Sequence, residues 1–106
     1  MFRSHEMTRA EKRIPMAVAV RIAGHAALPG METTFTEDVC SSGAKVYSAR
    51  RWKKDERLQF ATLAGNFHSV ARVAWCLPAR EIGFAIGLQF EQPSGSWVVA
   101  PSAAAS

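Results

Sequence analysis

The chain has 106 residues, of which 48% are hydrophobic and 21% are charged, and its formal net charge is +4. This length and composition are typical of one globular domain with a modest core, and they argue against a second domain. The apolar run IPMAVAV near the N-terminus is cut off by Arg21 and preceded by Glu6 and Glu11. We therefore expect neither a membrane span nor a signal peptide, and we predict a cytoplasmic protein.

The cysteine and histidine positions contain no recognisable catalytic or metal-binding pattern. Cys40 and Cys76 share no CxxC spacing and have no histidine close by in the sequence, which favours two reduced thiols over a disulfide, a zinc site or a redox pair. His5, His25 and His68 show no metal-ligand or triad spacing. The sequence therefore predicts a protein that is not an enzyme and holds no metal or cofactor.

Basic residues concentrate in two clusters, one within residues 9–13 and one within residues 50–57. Such clusters attract phosphate-bearing partners, although a small positive balance is also usual on a solvated surface. Charge alone therefore leaves a nucleotide, a nucleic acid and no ligand at all as alternatives.

After an N-terminal arm, residues 1–15, apolar and polar residues alternate with the period of half-buried strands. The alternation predicts six strands, near residues 17–22, 31–39, 45–47, 57–60, 67–77 and 82–90. In the second strand, Phe35 and Val39 are expected to share the core face. The last two strands read as a long hairpin, and their expected core faces are Phe67, Ala71, Val73, Trp75 and Leu77, then Ile82, Phe84, Ile86, Leu88 and Phe90.

Short turn signals separate these strands, namely LPG, CSSG, KKD and AGN. Short strands at this spacing favour an all-β antiparallel barrel or sandwich over parallel βαβ units, with little helix. We assign residues 16–92 to this β domain and residues 93–106 to a C-terminal tail. Trp97, in the tail, is expected to cover one end of the core.

The segment EDVCSSGA, residues 37–44, interrupts a strand with small polar residues. We expect Asp38 to end the strand and Gly43 to supply a backbone conformation closed to other residues. A carboxylate at such a corner could accept two hydrogen bonds from a guanine edge, while Arg9 and Arg13 could bind phosphates and the guanine O6 and N7 atoms. Taken singly, these features are also typical of an ordinary Asx turn and of solvent-exposed charges.

Together and in this order, the motifs resemble those of the PilZ domain, a bacterial receptor module for the second messenger cyclic di-GMP. The family's RxxxR motif is matched by residues 9–13, RAEKR, and its (D/N)xSxxG motif by residues 38–43, DVCSSG, with a strand between them. VARVAW at 70–75 and IGFAIGLQF at 82–90 are similar to the family's fifth and sixth strands. The resemblance covers residues 9–92. It implies a six-stranded antiparallel β-barrel with a flexible arm folded over its mouth, where a cyclic dinucleotide binds and no reaction occurs.

The resemblance also implies a role for each motif residue. Arg9 and Arg13 would contact phosphate and a guanine, Asp38 would pair with guanine, and Gly43 would shape the turn. Cys40 stands where the family has Ser, and a thiol forms weaker hydrogen bonds than a hydroxyl. By the usual net worth of a hydrogen bond, this weakens binding by ~1 kcal/mol, or roughly five- to tenfold.

Three functions remain in play, and we favour a cyclic di-GMP effector that changes conformation and signals to a downstream protein partner. The second is a PilZ-like protein-interaction module that has lost the nucleotide, which Cys40 favours and the arginine pair opposes. The third and least favoured is a basic β-barrel that binds single-stranded nucleic acid through exposed Trp52 and Tyr47 and neighbouring basic residues.

Overall fold

The computed structural model describes residues 12–81 and 83–100. This part of the chain contains β-strands and no helix, so the predicted all-β class is confirmed. The strands are β1 Ile14–Pro15, β2 Ala19–Ala23, β3 Met31–Cys40, β4 Gly43–Ser48, β5 Arg57–Thr62, β6 His68–Ala79 and β7 Gly83–Phe90. Within the same residues, no helix has the length and apolar character needed to cross a membrane.

Strands β2 to β7 close into an antiparallel barrel in the order β2-β3-β4-β7-β6-β5, and β5 pairs back onto β2. Closure gives each of the six strands two hydrogen-bonded neighbours, which removes the open edges of a flat sheet. The predicted six-stranded barrel is therefore confirmed.

The short strand β1 lies outside this ring. Ile14 pairs with Val39 and Pro15 pairs with Asp38, so the last two residues of the predicted arm attach to the end of β3. The rest of the arm up to residue 11, including Arg9, lies outside the described residues.

Apolar side chains fill the barrel because the inward positions of its strands are mostly Val, Ile, Leu, Ala and Phe. Removing such side chains from water is the main stabilising term for a domain of this size. The buried core consists of Val20, Ile22, Val39, Ala44, Val46, Trp52, Leu58, Phe60, Phe67, Ala71, Val73, Ile86 and Leu88.

An aromatic cluster of Phe60, Phe67, Phe90 and Trp97 closes one end of the barrel. The ring centroids of its contacting pairs lie between 4.8 and 6.1 Å apart. The Trp97 indole Nε1 also donates a hydrogen bond to the Cys40 carbonyl oxygen at 2.8 Å, which holds the ring beside the end of β3. The expectation that Trp97 covers the core is confirmed, whereas residues 101–106 of the predicted tail lie outside the described part.

Two irregularities in strand pairing overturn parts of the predicted core. The β6 register shifts between Val73 and Trp75, and this shift reverses the inside and outside positions that follow. Trp75 and Leu77, predicted inside, are therefore 36% and 58% exposed, while Cys76 packs against the core.

The second irregularity lies in β3, whose pairing with β4 shifts between Thr36 and Asp38. Thr36 is buried and Val39 is fully buried, as predicted for Val39. Phe35 is 46% exposed, so its predicted place in the core is wrong. The extra residue, Glu37, shifts the alternation of inward and outward side chains, so Phe35 and Val39 point to opposite sides of the strand.

Candidate functional site

The stretch CSSG forms the tight turn between β3 and β4. Cys40 is the last residue of β3 and pairs with Gly43, the first of β4, so Ser41 and Ser42 form the two-residue turn. A two-residue turn is the shortest connection of an antiparallel hairpin, and it brings the motif residues on both sides of it together.

Gly43 is required at this turn for a different reason from the one predicted. Its backbone is not in the left-handed region, so the predicted special conformation is wrong. A Cβ atom on Gly43 would lie 2.0 Å from the carbonyl oxygen of Leu88 in β7. Glycine is therefore needed because β7 passes too close for any side chain.

Arg13 joins the two motifs directly. Its Nε and Nη2 atoms donate to Asp38 Oδ1 at 2.8 and 2.5 Å, and its Nη1 atom lies 3.9 Å from the Cys40 Sγ atom. Arg13 is about half exposed, with 48% side-chain exposure, against 22% for Asp38. Asp38 and Cys40 thus share one face of β3 while Val39 points into the core, as predicted.

Cys40 lies beneath Arg13 and is only 4% exposed. Its Sγ atom is 3.9 Å from the hydroxyl oxygen of Ser42, at the other side of the turn. The two cysteines of the chain, Cys40 and Cys76, form no disulfide. Neither His25 nor His68 hydrogen-bonds to Cys40, and the described residues contain no cluster of potential metal ligands.

A cleft of about 400 Å³ opens beside this turn. It lies on the outer surface, because Trp75 and Gln89 in its wall face outward, while the neighbouring barrel end is filled by the aromatic cluster. The resemblance implied a ligand site in the barrel mouth, and that expectation stays a prediction; the cleft lies beside the barrel end. The cleft is lined by Arg13, Cys40, Ser42, Gly43, Ala44, Ala74, Trp75, Gly87, Leu88 and Gln89.

Trp75 forms one wall of the cleft and was missed in the sequence because it was assigned to the core. It pairs with Gly87 across β6 and β7, and its indole ring covers that glycine. A Cβ atom on Gly87 would lie 2.3 Å from the Nε1 and Cε2 atoms of the ring. The glycine in FAIGLQF was the one signal in the sequence that something packs closely on the outer face of β7.

Gln89 forms the neighbouring part of the wall and was also missed. Its Oε1 atom accepts a hydrogen bond from Arg72 Nη2 at 2.6 Å. Arg72 in turn donates from Nη1 to Asp55 Oδ1 at 2.8 Å. Gln89 is therefore the end of a polar network that continues outside the cleft.

Glu37, Lys45 and Tyr47 form a second polar group on the outer face near Asp38. The Tyr47 hydroxyl donates to the Glu37 carboxylate, and Lys45 Nζ lies 3.1 Å from Glu37 Oε1. The hydrogen bond from Tyr47, followed by that from Lys45, lowers the pKa of Glu37. The same bond to Glu37, followed by burial, raises the pKa of Tyr47. Lys45 and Tyr47 thus both bind the Glu37 carboxylate and stabilise its charged form.

Trp52 and Arg50, in the second basic cluster, do not present the surface that nucleic-acid binding requires. Trp52 was expected to be exposed, but it is 2% exposed and donates from Nε1 to Ser48 Oγ at 3.1 Å. The Arg50 guanidinium donates to the carbonyl oxygens of Leu28, Pro29 and Gly30. The prediction that Trp52 is exposed and can stack on a base is therefore wrong.

Comparison with known proteins adds no relative: the chain matches no protein-family model, no curated protein and no solved structure.

Proposed function

We propose that this protein is a non-enzymatic effector domain of the PilZ type that binds cyclic di-GMP in the cleft beside the β3–β4 turn. The observation that carries the proposal is the contact of Arg13 with Asp38 and Cys40. These residues belong to two motifs that lie 25 or more positions apart in the sequence and meet at one cleft. A volume of about 400 Å³ is in the range of small-molecule sites.

The hydrogen bonds between Arg13 and Asp38 leave both side chains able to bind a nucleotide. Both bonds from Arg13 end on Oδ1 of Asp38, and Oδ2 accepts no hydrogen bond from the residues that the structure describes. Oδ2 can therefore accept a proton donor on the guanine Watson-Crick edge. Among the described residues, the Nη1 atom of Arg13 has only the long contact to sulfur, so it can donate to a phosphate oxygen or to the guanine O6 or N7 atom.

Trp75 would supply the apolar part of the site. Its ring lies against the backbone of Gly87 and is 36% exposed, so one face is available to a flat base. Stacking of a base on an aromatic side chain is worth about 1–3 kcal/mol. Arg9, the other motif arginine, lies outside the described residues, and its proposed role as a second phosphate ligand rests on the resemblance alone.

The second candidate is a protein-interaction module that does not bind the nucleotide. A row of outward side chains crosses four strands, from Phe35 on β3 through Tyr47 on β4 and Ala85 on β7 to Leu77 on β6. Phe35 and Leu77 are 46% and 58% exposed. Ala85 between them is only 8% exposed, so the row is exposed at its two ends. Exposed large apolar side chains there favour a protein partner, which a cyclic di-GMP effector would also need.

Calorimetric titration with cyclic di-GMP tests the proposal, with GTP and a linear di-guanylate as controls. We expect binding of the cyclic dinucleotide alone. Arg13→Ala should weaken it at least tenfold, because a charged hydrogen bond contributes about 1.5–3 kcal/mol. Arg21→Ala is the matched control, because Arg21 lies on β2 and lines a different cleft.

The unfolding midpoint of each variant should be measured alongside the titration. A half-exposed ion pair contributes about 0–1 kcal/mol to stability, so Arg13→Ala should remain folded. If the parent protein binds none of the three ligands, the result would favour the interaction module. Equal binding by the parent and Arg13→Ala would refute the assignment of this cleft.

A further inference from the structure

The amide of Gln89 has a fixed orientation. Arginine carries only hydrogen-bond donors, so the amide atom that faces Arg72 Nη2 at 2.6 Å must be the oxygen. The NH2 group of Gln89 is then directed away from Arg72 and forms no hydrogen bond with the described residues. Because Gln89 lines the cleft and its oxygen is directed to Arg72, the part of the amide that remains for a bound ligand is the NH2 group with its two donors.

Arg72 is itself held in place, which keeps the amide from turning over. Its Nη1 atom donates to Asp55 Oδ1 at 2.8 Å, and its Nε atom lies 3.8 Å from Glu91 Oε2. The backbone also fixes the pair, because Arg72 and Gln89 are direct cross-strand partners on β6 and β7. The Arg72 side chain is 25% exposed, so these contacts are partly shielded from water.

We propose that Gln89, oriented by Arg72, selects guanine over adenine in this cleft; the inference rests on the proposed function. Guanine presents two acceptors, O6 and N7, on its major-groove edge, whereas adenine presents the N7 acceptor and the N6 donor. A free glutamine recognises adenine through its oxygen and nitrogen together. At Gln89 the oxygen is directed to Arg72, so adenine would meet the NH2 group, and its own N6 donor would oppose those donors.

Asp38 adds the complementary selection. Its Oδ2 atom is an acceptor, which suits the N1 and N2 donors of guanine and not the lone pair on N1 of adenine. Gln89 is thus a ligand-binding residue that directs its NH2 donors to the base, and Asp38 is a ligand-binding residue that offers an acceptor. Arg72 is a positioning residue that acts through Gln89.

The test compares the affinities of the protein for cyclic di-GMP and cyclic di-AMP. Gln89→Glu keeps the shape of the side chain and the bond to Arg72 but replaces the NH2 donors with an acceptor. We expect affinity for cyclic di-GMP to fall about tenfold or more, and affinity for cyclic di-AMP to stay level or rise. Arg72→Met removes the donor that orients the Gln89 amide, so the amide oxygen can turn to the ligand. The ratio of the affinity for cyclic di-GMP to that for cyclic di-AMP should then decrease.

Arg57→Met is the matched control for Arg72→Met. Arg57 binds Glu91 at 2.9 and 3.0 Å, in the same surface network, but no hydrogen bond joins it to Gln89 among the described residues. Its removal should leave the affinity ratio unchanged. A shift of the ratio in Arg72→Met alone would therefore report positioning and not a general loosening of the barrel, which thermal unfolding monitors separately.

Two results would overturn the inference, and they are distinguishable. In the first result, the parent binds cyclic di-GMP, and Gln89→Glu and Arg72→Met both change the ratio of the affinities for cyclic di-GMP and cyclic di-AMP by less than twofold. Gln89 then does not select the base, although the proposed function stands. If the parent binds neither dinucleotide, the proposed function fails and the selection fails with it.

Discussion

Gly43 and Gly87 offer a sharp test of why glycine occurs on these two strands. A Cβ atom on Gly43 would lie 2.0 Å from the Leu88 carbonyl oxygen, which belongs to the β7 backbone. A Cβ atom on Gly87 would lie 2.3 Å from the Trp75 ring, which is a partly exposed side chain. The first obstacle can be relieved only by separating two strands, whereas the second can be relieved by moving one ring.

The expected costs differ accordingly. To accommodate Gly43→Ala, β4 and β7 must separate by about 1 Å or more, which disrupts pairing at this end, including the bond from Phe90 N to Ser42 O at 2.8 Å. Overpacking and the loss of one or two hydrogen bonds together cost about 3 kcal/mol. The melting temperature should then fall by roughly 12–24 °C. Gly87→Ala should cost about 1 kcal/mol or less, since Trp75 is free to swing outward.

Urea unfolding followed by far-ultraviolet circular dichroism measures both free energies, and thermal melts give the midpoints. Gly87→Ala should weaken cyclic di-GMP binding despite its near-parent stability, because it displaces the wall of the cleft. If Gly43→Ala unfolds within 1 kcal/mol of the parent, or if Gly87→Ala is the more damaging of the two, the close approach of β7 does not explain Gly43.

Two further predictions concern other polar contacts. Tyr47 is the sole tyrosine of the chain, and its bond to Glu37 raises its pKa above 10.0, so this contribution to stability is present below about pH 10 and is lost as pH rises through the folded-state pKa. Glu37→Ala should move the absorbance titration of Tyr47 to lower pH, and an unchanged midpoint would contradict the assigned bond. His25 Nδ1 accepts hydrogen bonds from the amides of Ala27 and Leu28 at 3.1 Å each, and Nε2 donates to the Arg51 carbonyl oxygen at 2.8 Å. His25→Ala should cost about 1–2 kcal/mol and speed hydrogen exchange at both amides, whereas unchanged exchange would show that the ring does not hold this loop.

The sequence by itself determined the six barrel strands and the motif residues at the turn, but not the short strand β1. Alternation with period two is a local property, because successive side chains of a strand point to opposite faces whatever its neighbours are. It was therefore enough to predict Phe67, Ala71 and Val73 inside the barrel. Asp38 and Cys40 could be placed on one face in the same way, since only one residue separates them.

Pairing between strands decided the rest. The register shifts after Thr36 and after Val73 are set by the partners β4 and β7, so alternation in one strand cannot reveal them. They turned Phe35 and Trp75 outward, and Trp75 thereby became part of the wall of the cleft. The need for glycine at position 43 likewise comes from Leu88, a residue of another strand, and the orientation of Gln89 comes from Arg72. Local alternation fixes which side chains can face inward, whereas contacts between strands distant in sequence decide where a ligand can bind.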